Sequence, residues 1–112
     1  MATFLLPTQS SCNPNNWVQY GSKPATFDPT NLNISNWVDS YKALGVKSAV
    51  LTAKHSCGFA LWPSKVTIPS TNEVYNYSIK FASSPLNGRD IMKEFSDTLT
   101  ANDIGHGYYY SL

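Results

Sequence analysis

Residues 46–59, VKSAVLTAKHSCGF, run through small and β-branched apolar side chains, then set a lysine, a histidine, a cysteine and a glycine close together. The near-continuous apolar stretch from Val46 to Ala53 has the pattern of a strand covered on both faces of a parallel sheet. Such a strand needs helices on its outside. Upstream, Ile34, Trp37, Val38, Tyr41 and Leu44 recur at i, i+3, i+4, i+7 and i+10, one apolar stripe of a helix. Asn33 or Ser35 can cap its start, and Gly45 suits the left-handed position after its end. Downstream, residues 89–101 place Ile91, Met92, Phe95 and Leu99 on one face and Arg89, Lys93 and Asp97 on the other, a second amphipathic helix closed by Asn102-Asp103. Ile104 to Leu112, IGHGYYYSL, reads as another buried strand, with His106-Gly107 lining a barrel or packing inside it.

Ahead of these elements, residues 5–31 hold four of the seven prolines and show no period of two or of 3.6, so a long irregular segment is expected there. Long loops in compact domains tend to carry function. The order loop, helix, strand, loop, helix, strand implies a parallel α/β sheet. Two parallel strands do not close a core, because a (β/α)8 barrel takes about 250 residues and an open doubly wound sheet also needs more strands. The 112 residues are therefore expected to be one domain, the opening portion of a larger fold.

In parallel α/β folds, binding and reactive groups gather at the carboxyl ends of strands, where loops converge and backbone dipoles can be aimed at a ligand. Lys54 and His55 fall at such an end, Gly58 permits a sharp turn, and Phe59, Leu61 and Trp62 can form an apolar wall. Each has a plainer reading. His55 can be a structural histidine bonded to a carbonyl. Trp62, Tyr75 and Tyr77 can be core aromatics or can stack on the apolar face of a sugar ring. Cys57 is a nucleophile only if His55 serves as its base, and is otherwise a buried inert thiol. Lys54 is a strand-end charge reaching solvent or a carboxylate.

Composition narrows the partners. Hydrophobic residues make up 42%, charged residues 13% and aromatics 13%, a globular balance with more rings than a small core needs. A formal net charge of +1 gives no field to gather nucleic acid or an acidic membrane, so neutral partners are favoured. No run reaches the ~18 apolar residues of a membrane span. Met1 to Leu6 lacks the basic flank and long apolar stretch of an export signal, so none is expected in this chain. Asn33-Ile34-Ser35 and Asn76-Tyr77-Ser78 are glycosylation sequons that matter only on a secretory route. Cys12 and Cys57 lie far apart without metal-site spacing; pairing and remaining free both stay open. The sequence has no phosphate-cradling glycine loop, no dinucleotide fingerprint and no paired Cys or His metal spacing, so neither cofactor nor metal is expected.

The stretch FDPTNLNISNWVDSYKALGVKSAVLTAKHSCGFALWPSKVT, residues 27–67, resembles the α-L-fucosidases of glycoside hydrolase family 29. Those enzymes carry F-N-P-T…W…G…V-L-T-A-K-H-H-D-G-F-x-L-W-P-S, then a helix with R/G-D-[IV]-[MV]-x-E and a strand ending in Y-Y-S. The matching residues are Phe27 to Thr30, Trp37, Gly45, Val50 to His55, Gly58-Phe59, Leu61 to Lys65, Gly88 to Glu94 and Tyr109 to Leu112. Met1 to Phe4 resembles the tail of the family's first barrel strand. The resemblance implies the N-terminal part of a (β/α)8 barrel: a truncated first strand, helix, second strand, helix, third strand. It further implies removal of terminal α-L-fucose from glycans with retention, without a metal or cofactor, in a secreted, extracellular or lysosomal setting.

By the same resemblance His55 matches the first histidine of a pair that binds fucose hydroxyls, and Trp62 belongs to the same motif. Ser56 replaces the second histidine, Cys57 replaces an aspartate, and Gln19-Tyr20-Gly21 takes the place of a Glu-Trp pair at the sugar pocket. The expected substrate-binding set is therefore His55, Trp62, Ser56, Tyr20 and Gln19. Retaining hydrolysis requires two carboxyl groups about 5 to 5.5 Å apart. Of the seven acidic residues, only Glu73 falls in a loop on the strand-end side, and the resemblance places both catalytic carboxylates on later strands. The chain is therefore expected to have no catalytic residue and no turnover of its own, with the rest of the barrel supplied by sequence outside it. The alternative is a non-catalytic carbohydrate-binding or pseudoenzyme fragment.

Overall fold

The computed structural model describes residues 23–55, 58–83 and 86–112. A single turn of 3-10 helix at Pro24–Thr26 leads through irregular chain to helix α1, Ile34–Ala43. The Asn33 side chain accepts from the Asn36 amide at 3.3 Å, so Asn33 is the cap and Ser35 lies inside the helix. At the other end the Gly45 amide donates to Lys42 O and the Val46 amide to Tyr41 O, with Gly45 at φ +68°. This paired closure satisfies two orphan carbonyls and requires the left-handed region. A Cβ on Gly45 would meet nothing within 4 Å, so Gly45→Ala is a purely conformational test. It is expected to cost about 1 kcal/mol, read as a lower thermal midpoint with an unchanged far-ultraviolet spectrum.

Strand β1, Ser48–Lys54, then helix α2, Ile91–Ala101, and strand β2, Gly105–Tyr110, make one parallel crossover unit. Asp90 caps α2 by accepting from the Lys93 amide at 2.9 Å. Its far end closes like α1: the Asp103 amide bonds Thr100 O and the Ile104 amide bonds Leu99 O. Here an aspartate, Asp103 at φ +56°, takes the left-handed place that glycine takes after α1.

Two helices on one side cover one face of the sheet. Ile34 and Val38 of α1 meet Ile91, Phe95 and Leu99 of α2, and Ala49 and Leu51 of β1 pack against that cluster. Phe59, Ile79 and Leu86 from the connection between β1 and α2 complete it. The opposite face, Ser48, Val50 and Thr52 beside Gly105, Gly107 and Tyr109, is uncovered among the described residues, with Val50 70% exposed and Tyr109 48% exposed. Among the described residues the expected cover is therefore present on one face, the side on which both helices lie.

His106 belongs to the covered side and does not line an interior. Its Nε2 lies 2.9 Å from Ser96 Oγ, and its ring meets Phe95 edge-on at 6.3 Å. Tyr108 stands on the same side, its hydroxyl donating to Met92 O at 2.9 Å.

The two strands pair in register from Ser48 with Gly105 to Thr52 with Tyr109, and then Lys54 pairs with Tyr110. Ala53 is the extra residue of a bulge. Side chains alternate along a strand, so this insertion turns Lys54 to the Tyr110 side and returns His55 to the Tyr109 side. The contacts agree: the Lys54 ammonium sits 4.7 Å from the centre of the Tyr110 ring, and the His55 and Tyr109 rings are 5.9 Å apart.

Candidate functional site at the carboxyl ends of the strands

His55 follows directly on the last residue of β1, half-buried and outside any helix. The Gly58 amide donates to His55 O at 2.8 Å, and Gly58 adopts φ +86°, so the chain reverses there as the glycine predicts. Leu61 N then donates to Ala53 O at 3.0 Å and Ala60 bridges both Lys54 and Ser78. The turn is thus stitched to the end of the strand on which it stands.

The expected apolar wall divides. Phe59 is 8% exposed and lies in the core, its ring 5.1 Å from Phe27 and edge-on to Tyr77 at 5.3 Å, while Leu61 packs beside it. Burial of these side chains contributes to holding the fold and leaves them unavailable as a pocket surface. Trp62 remains half-buried and meets Tyr110 with ring centres 6.2 Å apart. His55 meets Tyr109, and consecutive strand residues point to opposite faces. The two substrate-binding candidates that the structure describes therefore flank the end of β2 from opposite sides. Ser56, Gln19 and Tyr20 lie outside the described residues, as do Cys12, Cys57 and the strand expected at Met1 to Phe4.

Lys54 neither reaches solvent freely nor meets a carboxylate. Its ammonium donates to Ser111 O at 2.5 Å, and the Ser111 amide donates back to Lys54 O at 2.9 Å. A cation over the Tyr110 face and a reciprocal backbone clasp make it a tie between the two strand ends.

Tyr75 and Tyr77 come from the connection that follows Trp62. The segment folds back on itself through a bridge between Thr67 and Val74, with the Tyr75 amide donating to Val66 O at 2.8 Å. Tyr77 lies against the core. The Tyr75 hydroxyl donates to Gly58 O at 2.5 Å. Burial, followed by the proximity of Tyr77 and Tyr110, raises the Tyr75 phenol above its ordinary value of 10.0. Burial raises Tyr77 likewise. A folded value above the unfolded one means that the fold favours the neutral phenol. That contribution is complete below the unfolded value and disappears as pH climbs through the folded one. The thermal midpoint is therefore expected to fall once pH passes about 10, and Tyr77→Phe is expected to lessen the fall. A pH series of melts checks it.

All seven acidic side chains are described. Glu94 receives Arg89 Nε and Nη2 at 2.9 and 2.6 Å, and this hydrogen-bonded guanidinium holds its carboxyl below the ordinary range. Asp97 pairs with Lys93 one turn back, and Asp90 caps α2. Asp103 sits at the junction leading into β2, at the far end from His55, while Asp28, Asp39 and Glu73 are exposed. Among the described residues no three His, Cys, Asp or Glu side chains cluster as metal ligands, and no helix is long and apolar enough to cross a membrane.

Sequence reasoning passed over Tyr109 and Tyr110 as site residues. The available signal was the rule that selected His55, since both tyrosines close a parallel strand.

Comparison with known proteins agrees with this architecture. The family model for Alpha-L-fucosidase matches residues 9–112. Alpha-L-fucosidase 1 of Arabidopsis thaliana is 34% identical over 111 residues, covering 99% of this chain and 20% of that protein. Human tissue α-L-fucosidase is 36% identical over 76 residues, 68% of this chain and 14% of its own length. The crystal structure of a glycoside hydrolase 29 α-L-fucosidase from Bacteroides thetaiotaomicron superposes with a TM-score of 0.61 at 29% identity, over 76% of this chain and 17% of that one. The chain spans about one fifth of the length of the curated plant relatives it matches. With one family model covering nearly all of it and the crossover unit superposing on solved members, the chain belongs to the α-L-fucosidase family of glycoside hydrolases.

Proposed function

We propose that these 112 residues form the N-terminal sector of a (β/α)8 barrel of the α-L-fucosidase type, and that His55 hydrogen-bonds a hydroxyl of terminal α-L-fucose on a glycan. The observation that carries this reading is the placement of a half-buried imidazole at the carboxyl end of a parallel strand, on the face that neither helix covers. In a closed barrel that face is the interior, and loops at that end surround the substrate. Tyr109, ring to ring with His55, supplies an apolar neighbour for the sugar. Trp62, on the Tyr110 side, shapes the rim, and Ser56, Gln19 and Tyr20 complete the binding set. No metal or cofactor takes part.

The parent reaction is hydrolysis of terminal α-L-fucosides with retention, through a glycosyl-enzyme intermediate. A trapped covalent intermediate with 2-fluoro-fucosyl fluoride is described for the Bacteroides thetaiotaomicron relative, which supports that stereochemistry. The two carboxylates that this requires come from strands supplied outside these residues. The second reading, a carbohydrate-binding protein without turnover, is favoured by the dispersal of the chain's own carboxylates over helix faces, a cap and exposed loops.

Calorimetric titration of the chain and of its His55→Ala variant with L-fucose, with the imidazole resonances of His55 followed in the parent, tests the binding claim. His55→Ala is expected to weaken binding at least ~10-fold, the loss of one or two hydrogen bonds to the sugar. Equal affinity in the variant, or no binding by the parent chain, removes His55 from the site.

A further inference from the structure

The turn that presents His55 is held from a distant part of the chain. Gly58 uses its amide to close the turn onto His55 O at 2.8 Å, and its own carbonyl receives the Tyr75 hydroxyl at 2.5 Å. Gly58 is buried and sits at φ +86°, so the peptide plane carrying that carbonyl is set by the turn and its partners. The hydroxyl is delivered by a braced segment: the Tyr75 amide is bonded to Val66 O at 2.8 Å, Val74 bridges Thr67, and Ile68 N bonds Glu73 O at 2.8 Å. The phenol ring itself is half-buried, which limits its rotamers and keeps water from competing for the carbonyl.

We propose that Tyr75 is a positioning residue for His55, fixing the His55–Gly58 turn through its hydroxyl so that the imidazole stays beside Tyr109. The inference rests on the reading in which His55 holds a fucose hydroxyl, and it adds a specific determinant of that geometry seventeen residues from Gly58. Tyr75 touches no sugar in this scheme. It acts on a backbone carbonyl, and the carbonyl orients the turn that follows the strand. A buried carbonyl left without a donor favours an opened turn, and an opened turn lets the imidazole leave the Tyr109 ring.

Tyr75→Phe removes the hydroxyl and keeps the ring, so the test separates a hydrogen bond from packing. In the 112-residue chain the variant is expected to exchange the Gly58 amide at least ~10-fold faster, with the exchange of the Leu99 amide unchanged as the internal control for the core. The nuclear Overhauser contact between the His55 and Tyr109 rings is expected to weaken, and affinity for L-fucose to fall about 10-fold. Unaltered Gly58 exchange, or an unaltered His55–Tyr109 contact, overturns the proposal. So does faster exchange with parent affinity for fucose. A parent chain that binds no fucose overturns the fucose reading instead, and the ring contact and exchange rates still decide whether Tyr75 positions His55. Acceleration of Leu99 exchange to the same degree counts against a local role, because the hydroxyl would then be holding the fold as a whole.

Discussion

Replacing Phe95 with alanine is expected to abolish the cooperative thermal transition of the chain. Phe95 is 1% exposed and stands at the middle of α2, where the only extensive apolar cluster among the described residues brings both helices against the sheet. Its ring meets His106 at 6.3 Å and Tyr108 at 6.1 Å, so it also anchors β2 to the helix. Truncating a buried phenylalanine to alanine costs about 3–5 kcal/mol, from lost transfer energy plus an unfilled cavity. A domain's whole stability is about 5–15 kcal/mol, and a two-stranded sheet covered on one face belongs at the lower end. Phe95→Leu, which keeps most of the volume, is expected to cost about 1–1.5 kcal/mol and to retain a sharp melt. Thermal melts followed by circular dichroism check both; an Ala variant that melts sharply near the parent midpoint would place the core elsewhere.

A second large effect concerns chemistry. The purified chain is expected to leave a chromogenic aryl α-L-fucoside unhydrolysed, a deficit on the order of 10⁶-fold or more against an enzyme that carries both reacting groups. Retention needs one carboxylate to attack the anomeric carbon and a second group that enters protonated. A general acid working near neutral pH has its pKa raised by an apolar surrounding. Glu94 moves the other way, held ionised by the Arg89 fork, and Asp97 is paired with Lys93. Asp90 is committed to the α2 cap and Asp103 sits at the end of the sheet away from His55. Glu73 alone stands, exposed, in the connection after the strand end. Robust turnover that disappears in Glu73→Gln would make that residue catalytic and reverse the expectation. Turnover surviving in Glu73→Gln would point to a contaminating enzyme.

Much of the fold is legible in the sequence. Helix α1 announced itself by its stripe and by Asn33 and Gly45 at its ends, and all three do what their chemistry predicts. The second closure was harder to read, because an aspartate occupies the left-handed place, and only the hydrogen bonds from Asp103 and Ile104 reveal it. Strand β1 was found but not its bulge: Ala49 to Ala53 are all small or apolar enough to suit either face, so periodicity carries no mark of an extra residue. For the same reason the partner of Lys54 was misjudged. The roles of Phe59 and Trp62 could not be separated by sequence, since both are aromatic and three positions apart. What divides them is tertiary packing: Phe27, from the chain ahead of α1, and Tyr77, from the returning connection, lie against the one ring, and Tyr110 meets the other. His55 was placed correctly at the end of a parallel strand because that rule depends on chain order alone.

The surplus residue at Ala53 makes the identity of the presented side chain a matter of parity. With Ala53 bulged out the imidazole emerges beside Tyr109; were Ala53 paired regularly with Tyr110, Lys54 would emerge there and the imidazole would turn toward the helices. Ironing out the bulge with every residue kept would exchange an imidazole for an ammonium with no substitution anywhere, whereas deleting Ala53 would remove the bulge and its residue together and leave His55 beside Tyr109. The pairing state of Ala53 is therefore as informative about what this strand offers a ligand as the identity of the residues that follow it.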